Sequence, residues 1–423
     1  MDPKQLLIES FQAAVAAADP LKILPDHLPH PPSGRTLVIG AGKAAASMAL
    51  AVEQHWPRDA PLEGLVITRY RHGLPTRRVK VIEAGHPVPD EAGESAAKEI
   101  LQRTKSLAPG DLLLALISGG GSALLSLPVE TIGMEALKAT TRELLRSGAP
   151  IQDINTVRKH LSAVQGGRLA AACRAPVLAL IISDVTGDDP THIASGPCAP
   201  DPTTYRDALE VLHRHGVNAA PAVREHLDRG ARGQVSETPK PGDGIFGRVE
   251  NRVIATARQA LVAAQECFNV HRIHVMNLGD SVTGEASEVA KAYAALARQI
   301  ARYADPAKPP VALISGGECT VTVRGNGRGG RCTEFLLSLA VDLAGSPSIY
   351  AIACDTDGID GSEDNAGAVL LPDSLARGTH LGLDARKLLA SNDAYGFFSR
   401  LEDLVVTGPT RTNVNDYRAI LIR

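Results

Sequence analysis

The residue types that could do chemistry gather in a few glycine-rich turns. "VIGAGKAA" sets Lys43 at the start of a helical pattern, with Gly40 and Gly42 before it, so that an ammonium could meet a phosphoryl group or a carboxylate. "LALISGGGSALL" ends an apolar run in Ser118, Gly119, Gly120, Gly121 and Ser122; the letters ALISGG recur in "VALISGGECTV", ending in Gly316, Gly317 and Glu318. Glycines let backbone approach a ligand, and exposed N–H groups at a following helix start attract anions. A lone glycine turn is equally a tight strand-to-helix connection, but the clustering of such turns favours an anion site. "SDVTGDDPTHIASGP" supplies Asp184, Asp188 and Asp189, and "CDTDGIDGSEDNAGA" supplies Asp355, Asp357, Asp360 and Asp364. Carboxylates at strand ends suit Mg²⁺; turn and cap roles account for several of them. "RGNGRGGRCTEF" strings Arg324, Arg328 and Arg331 among glycines and reads as a mobile cationic loop suited to gripping a transferred phosphoryl group.

Two further motifs have competing readings. Gly40-x-Gly42-x-x-Ala45 after a strand matches a dinucleotide fingerprint, which also wants an acidic residue about 20 positions on. The next strand, "GLVITRY", ends in Thr68 and Arg69, which leaves only an NADP form of that reading. A Walker A loop fails, because Leu37 and Ala44 stand where glycine and a hydroxyl residue belong. In "INTVRKHLSAVQGGRLAAA", Arg158, Ser162 and Gln165 share one helical face. The run Arg158, Lys159, His160 weighs toward surface charge, with Arg158 and Ser118 as candidates for holding substrate.

The elements that must position these turns follow a βα rhythm. Strands without clean alternation, such as "DLLLALISGGG" and "APVLALIISDV", predict burial on both faces, hence a mostly parallel sheet covered by helices. The polar stretch 229–247 reads as a surface excursion or link. The expected architecture is α/β with two domains: a Rossmann-like, mostly parallel α/β/α sandwich over 1–240 and a smaller α/β region over 241–423, with the site in the cleft between them. The 423 residues suit two or three domains. A net charge of −3 and 3% aromatics argue against nucleic acid. No apolar run approaches a membrane span, the first residues do not form a secretory signal, and six scattered cysteines fit a reducing cytoplasm.

Taken together, "GAGKAAASMA", "ITRYRHGLPT", "EAGHPVPDEAG", "LALISGGGSALL", "INTVRKHLSAVQGGRLA", "ISDVTGDDPTHIASGP", "ETPKPGD", "ISGGECTVTVRGNGRGGR" and "DTDGIDGSEDNAGA" resemble the glycerate 2-kinases that carry a C-terminal MOFRL domain, here about 308–418. The resemblance runs over nearly the whole chain. It implies ATP- and Mg²⁺-dependent phosphorylation of D-glycerate at its 2-hydroxyl. It also implies that Lys43 and Arg331 are critical, with Asp184 a third catalytic candidate. On this reading Gly40, Gly42, Gly119–Ser122 and Gly316–Glu318 bind nucleotide phosphates, and Asp189, Asp355 and Asp357 carry the metal. The family continues its arginine with Asn-Gln where this chain has Cys332 and Thr333, which would change affinity or specificity if that pair held a ligand. An NAD(P)H-dependent hydroxypyruvate reductase, a name given to some relatives, and a non-catalytic sugar-phosphate-binding protein are the alternatives. Oligomeric state stays open, with a homodimer among the expectations.

Overall fold

The computed structural model describes residues 2–423, which divide into one unit of residues 20–254 and another joining 2–19 to 255–423. In the first unit the apolar runs become β1 (Thr36–Ala41), β2 (Leu62–Arg69), β3 (Val79–Ala84), β4 (Leu112–Ile117), β5 (Val177–Ile182) and β6 (Val249–Ala255), in the order β3-β2-β1-β4-β5-β6. The pairings from β3 through β5 are all parallel. β1 and β5 are buried along their whole length, as their unbroken apolar character requires. The chain leaves β1 toward β2 and β3, then crosses to β4 on the other side. The connections after β1 and β4 therefore diverge, and the crevice outside their carboxyl ends is the topological switch point where such sheets bind ligands.

Helices follow from equally local causes. After α1 (Pro3–Ala16) and the short α2 (Pro20–Ile23), α3 (Ala45–His55) and α4 (Glu91–Lys105) pack on the sheet. Asp90 caps α4 by accepting the Gly93 N–H at 3.0 Å, with Glu91 and Glu94 in its first turn and Arg103 and Lys105 in its last. The short α5 (Gly121–Leu124) follows the SGGG turn. Then α6 (Met134–Arg146), α7 (Ile151–Leu161), α9 (Tyr205–Arg214) and α10 (Pro221–Ala231) share a separate core that includes Leu137, Leu144, Val157, Leu161 and Leu227; α8 (Arg168–Ala172) lies between α7 and α9 in the chain.

The stretch read as a link is instead part of this unit. Pro239 C=O accepts the Asp201 N–H at 2.8 Å, Thr238 is buried, and Lys240 pairs with Glu237 at 2.8 Å. The division of the chain accordingly falls at 254/255 rather than 240/241, because β6 completes the first sheet.

The second unit contains α11 (Ala257–Val270), β7 (His274–Asn277), β8 (Gly284–Glu285), α12 (Ala286–Tyr303), β9 (Val311–Ser315), β10 (Cys319–Thr320), α13 (Arg331–Leu343), β11 (Ile349–Asp355), β12 (Gly367–Leu370), α14 (Ser374–His380), α15 (Ala385–Ala390), α16 (Ala394–Arg400), β13 (Leu404–Val405) and β14 (Asp416–Ile422). Its main sheet, β13-β12-β11-β14-β9-β7, is antiparallel except between β9 and β7. Helix α1 belongs here, not with the first sheet. Its buried face of Leu6, Leu7, Phe11 and Ala14 meets β14, where the Phe11 and Tyr417 rings stack 6.1 Å apart and Tyr417 donates to Ser10 Oγ at 2.8 Å.

Candidate functional site

At the switch point of the first sheet the GAGK and SGGG turns interlock. The N–H of Gly42 donates to Ile67 C=O at 3.1 Å, that of Lys43 to Gly119 C=O at 2.8 Å and that of Ala44 to Ser118 Oγ at 3.0 Å. The phosphate contact expected of Gly42 thus has no donor to make it, and Gly40 lies inside β1 between β2 and β4. Both glycines serve close approach: a Cβ on Gly40 would lie 2.4 Å from Leu116 O, and one on Gly42 2.1 Å from Ser118 Oγ. Gly42 also sits at φ +138°. Gly42→Ala is expected to cost about 3 kcal/mol, read as a lowered denaturant midpoint at unchanged slope. Ser118, expected to hold substrate, is fully buried and spends its hydroxyl inside the turn.

The SGGG turn is built the other way. The N–H groups of Gly119, Gly120 and Ser122 have no acceptor among the described residues, whereas Gly121 N–H is taken by Ser118 C=O at 3.2 Å. Three unspent donors within four residues of turn backbone form a nest for an anion. Lys43 and His86 border it: a Cβ on Gly120 would lie 3.5 Å from Lys43 Cγ and 3.0 Å from His86 Nε2. Burial, then the Lys43 charge, lowers the His86 pKa to about 3, so its imidazole is neutral at physiological pH. Gln165 anchors the turn by donating to Ser122 C=O at 2.9 Å and Leu125 C=O at 3.1 Å.

From this turn a polar chain leads to Arg158. Ser122 Oγ lies 2.8 Å from Ser195 Oγ, Ser195 donates to Asn155 Oδ1 at 3.1 Å, and Arg158 Nη1 donates to the same oxygen at 3.1 Å. Ala194, Ser195 and Gly196 are all left-handed, at φ 51°, 60° and 60°. Strain of this kind persists where the surroundings fix it; here Gly166 and Gly167 N–H groups clamp the Ser195 and Gly196 carbonyls. Burial lowers the Arg158 pKa to about 10, and no carboxylate among the described residues pairs with it. The reading of Arg158, Lys159 and His160 as surface charge fails. Lys159 and His160 are buried, and Lys159 pairs with buried Asp201 at 3.3 Å.

Asp184 is half-buried just beyond β5. Asp189 is exposed and accepts the Thr191 N–H at 2.9 Å, a turn role.

In the second unit the sheet brings together Glu318, Arg331, Asp355 and Asp357. Arg331 opens α13 and pairs with Glu318 at 2.9 Å, Asp355 at 2.7 Å and Asp416 at 2.7 Å. Burial disfavours its charge, but Asp416, Asp355 and Glu318 together outweigh burial and hold it protonated. Asp416, which faces Asp355 across β14 and β11, also pairs with buried Arg418 at 2.6 Å. The second ALISGG turn leads to β10 and not to a helix, so the expected helix start is missing there; Gly316 N–H is spent on Gly279 C=O at 2.9 Å, while those of Gly317 and Glu318 have no acceptor among the described residues.

The glycine-rich loop is clamped, contrary to the mobile loop expected. Asn392 Oδ1 accepts the N–H groups of Arg324 at 2.7 Å and Gly325 at 3.1 Å, and Gly327 N–H donates to Ser391 C=O at 3.0 Å. Arg328 lies 4.3 Å over the Tyr395 ring and 3.3 Å from Glu363. Its glycines admit neighbouring backbone: a Cβ on Gly325 would lie 2.4 Å from Ser391 O.

Cys332 and Thr333 are buried at the start of α13, where Asp360 accepts both their N–H groups, at 2.9 and 2.8 Å, and the Thr333 hydroxyl at 2.7 Å. They are structural in this chain, not ligand contacts. Next to them, burial raises the Glu334 pKa from 4.5 to about 7, against a hydrogen bond from Asn392. A raised folded-state value means that the folded protein holds this proton more tightly than the unfolded chain, so stability is lost as pH rises from 4.5 through 7. Glu334→Gln is expected to remove that loss, about 3 kcal/mol; urea unfolding of both proteins at pH 5 and pH 8 measures it.

For a nucleotide and Mg²⁺ the fit rests on the donor set. The nest of Gly119, Gly120 and Ser122 beside Lys43 suits phosphate oxygens. Asp355 Oδ1 accepts the Asp357 N–H at 3.0 Å and its Oδ2 takes Arg331, while Asp357 Oδ1 accepts the Ile359 N–H at 2.8 Å. No cluster of three or more His, Cys, Asp or Glu fit for a metal occurs among the described residues. Mg²⁺ carried on phosphates needs only one or two carboxylates, and Asp184, Asp355 and Asp357 at strand ends suit that mode.

Comparison with known proteins points the same way. The model described as a domain of unknown function (DUF4147) matches residues 6–228, and the MOFRL family model matches 311–416. A Pyrococcus horikoshii protein named glycerate 2-kinase is 38% identical, covering 98% of this chain and 96% of its own. The crystal structure of a glycerate kinase from Thermotoga maritima superposes with a TM-score of 0.87 at 36% identity, covering 99% of each chain. An Agrobacterium vitis protein 48% identical over 99% of this chain and 94% of its own carries the provisional name hydroxypyruvate reductase. No helix among the described residues is long and apolar enough to cross a membrane.

Proposed function

This chain belongs to the glycerate 2-kinase family that joins a DUF4147 region to a MOFRL region, and we propose that it transfers the γ-phosphoryl group of ATP to the 2-hydroxyl of D-glycerate, giving 2-phosphoglycerate. The observation that carries this reading is the contrast between the two adjacent turns. The GAGK backbone, where a dinucleotide pyrophosphate would need free donors, has spent its N–H groups at Gly42, Lys43 and Ala44; the SGGG turn under Lys43 has kept three.

The nest at Gly119, Gly120 and Ser122 holds phosphate oxygens, and Lys43 stabilises the charge of the moving group, the electrostatic positioning on which phosphoryl transfer depends. Arg158, a half-buried cation with no carboxylate partner among the described residues, meets negative charge on a substrate. Arg331, kept protonated by Asp416, Asp355 and Glu318, is the cation that the second unit offers to phosphoryl transfer. The 2-hydroxyl oxygen forms the new bond to the γ-phosphorus as the bond to the β–γ bridging oxygen breaks; ADP leaves, and Asp184 takes the hydroxyl proton. Asp355 or Asp357 would hold Mg²⁺, which when bound would neutralise charge on the donor phosphates.

The reductase alternative is disfavoured by its acids. A 2-keto acid reductase needs a proton donor, and the pKa values of His86, His160 and His192 are all lowered, in each case chiefly by burial. The test is substrate-dependent turnover with Mg²⁺: D-glycerate with ATP, L-glycerate with ATP, and hydroxypyruvate with NADH or NADPH. ADP release only with D-glycerate is expected; nicotinamide oxidation without ADP release overturns the reading.

A further inference from the structure

One cavity of the first unit is left unused by this account. It holds about 140 Å³. Its apolar lining comes from Pro87, Val88 and Pro89, which precede α4, from Ala123 on α5, and from Leu137 and Leu145 on α6. Val88 and Leu145, 57% and 61% exposed, stand at its open side. Three cations, Lys138, Arg142 and Arg158, stand around this apolar space. Ser122, the last residue of the anion nest, also lines it. The wall continues from the nest as well, since Pro87 follows the His86 that borders Gly120.

Apolar walls, basic residues and continuity with a phosphate nest are together what a nucleotide requires: flat apolar faces for the base and cations along the phosphates. A three-carbon hydroxy acid gains nothing from six apolar wall residues. The geometry points to this cavity as the seat of the donor's purine base, held between the Pro87–Pro89 loop and the Leu137–Leu145 face of α6, with the ribose outside it and the phosphates passing Arg158 to reach Gly119, Gly120 and Ser122. The assignment rests on the kinase reading and adds which unit holds the donor.

Thr141 is half-buried on α6 and lines the same space, so Thr141→Trp fills it. Titration calorimetry of ADP into the full chain without glycerate is the direct readout. ADP affinity is expected to fall at least tenfold, with the KM for ATP rising in parallel and the KM for D-glycerate moving less than twofold. Leu145→Asp, at an exposed position, sets a negative charge at the mouth with little risk to folding and is expected to weaken ADP about as much. A wild-type protein that binds ADP, with both variants binding it equally well, overturns the seat and leaves the kinase standing. A rise confined to the KM for D-glycerate overturns it too, assigning the cavity to the acceptor. A wild-type protein that neither binds ADP nor releases it from ATP with D-glycerate overturns the kinase reading and the seat together.

Discussion

Lys43→Ala is expected to lower kcat for ADP release by about 10³-fold, the scale of losing one preorganised charge on a transferring phosphoryl group. The KM values for ATP and D-glycerate should move only a few-fold, because the three N–H groups that hold phosphate belong to Gly119, Gly120 and Ser122 and stay in place. The backbone of residue 43 keeps its bond to Gly119 C=O whatever side chain it carries, so thermal stability should change little. Lys43→Met separates packing from charge. It keeps a long side chain over Gly120, and its rate should match that of the alanine variant. Recovery of activity in the methionine variant would mean that Lys43 serves as a spacer.

Removing the guanidinium of Arg331 should have the largest effect on stability. Three carboxylates converge on it, and Asp355 and Asp416 are almost fully buried. Breaking a buried ion pair from one side leaves uncompensated charge, typically about 3–5 kcal/mol. Arg331→Met is expected to lose that much by denaturant unfolding at pH 7.5, and to lose less at pH 5, where the abandoned carboxylates can take up protons. Adding Asp355→Asn should restore part of the stability and none of the activity. An Arg331→Met protein of wild-type stability would show that the ion cluster does not hold this end of the sheet together.

What could be read from the chain was local. The apolar runs ending in glycine or aspartate located β1, β4, β5, β9 and β11 because burial on both faces writes itself as unbroken hydrophobicity. Strand direction writes nothing of the kind. The antiparallel β11–β14 pairing, and with it the meeting of Asp416 with Arg331, depends on where the last strand inserts. A single aspartate opening "DYRAILIR" carried no signal of its own. Helix α1 falls within the 1–240 expected for the first domain, and only the apolar partner waiting on β14 assigns it elsewhere.

Glycines were legible as close approach but not as to what approaches. At Gly42 it is Ser118 and at Gly325 it is Ser391, whereas the turns at Gly119 and Gly120 and at Gly317 and Glu318 leave N–H donors with no acceptor among the described residues. Lys159 and His160 misled for the opposite reason. Their side chains are charged and polar in any sequence, and Asp201, the acid that allows Lys159 to be buried, is 42 residues away.

The central claim is the bond that is made, and phosphorus NMR reads it directly. The purified chain, incubated with ATP, Mg²⁺ and D-glycerate, should convert the γ-phosphorus signal of ATP into that of 2-phosphoglycerate, with ADP formed in equal amount. A 3-phosphoglycerate signal, or ATP left intact beside unchanged D-glycerate, would contradict the account.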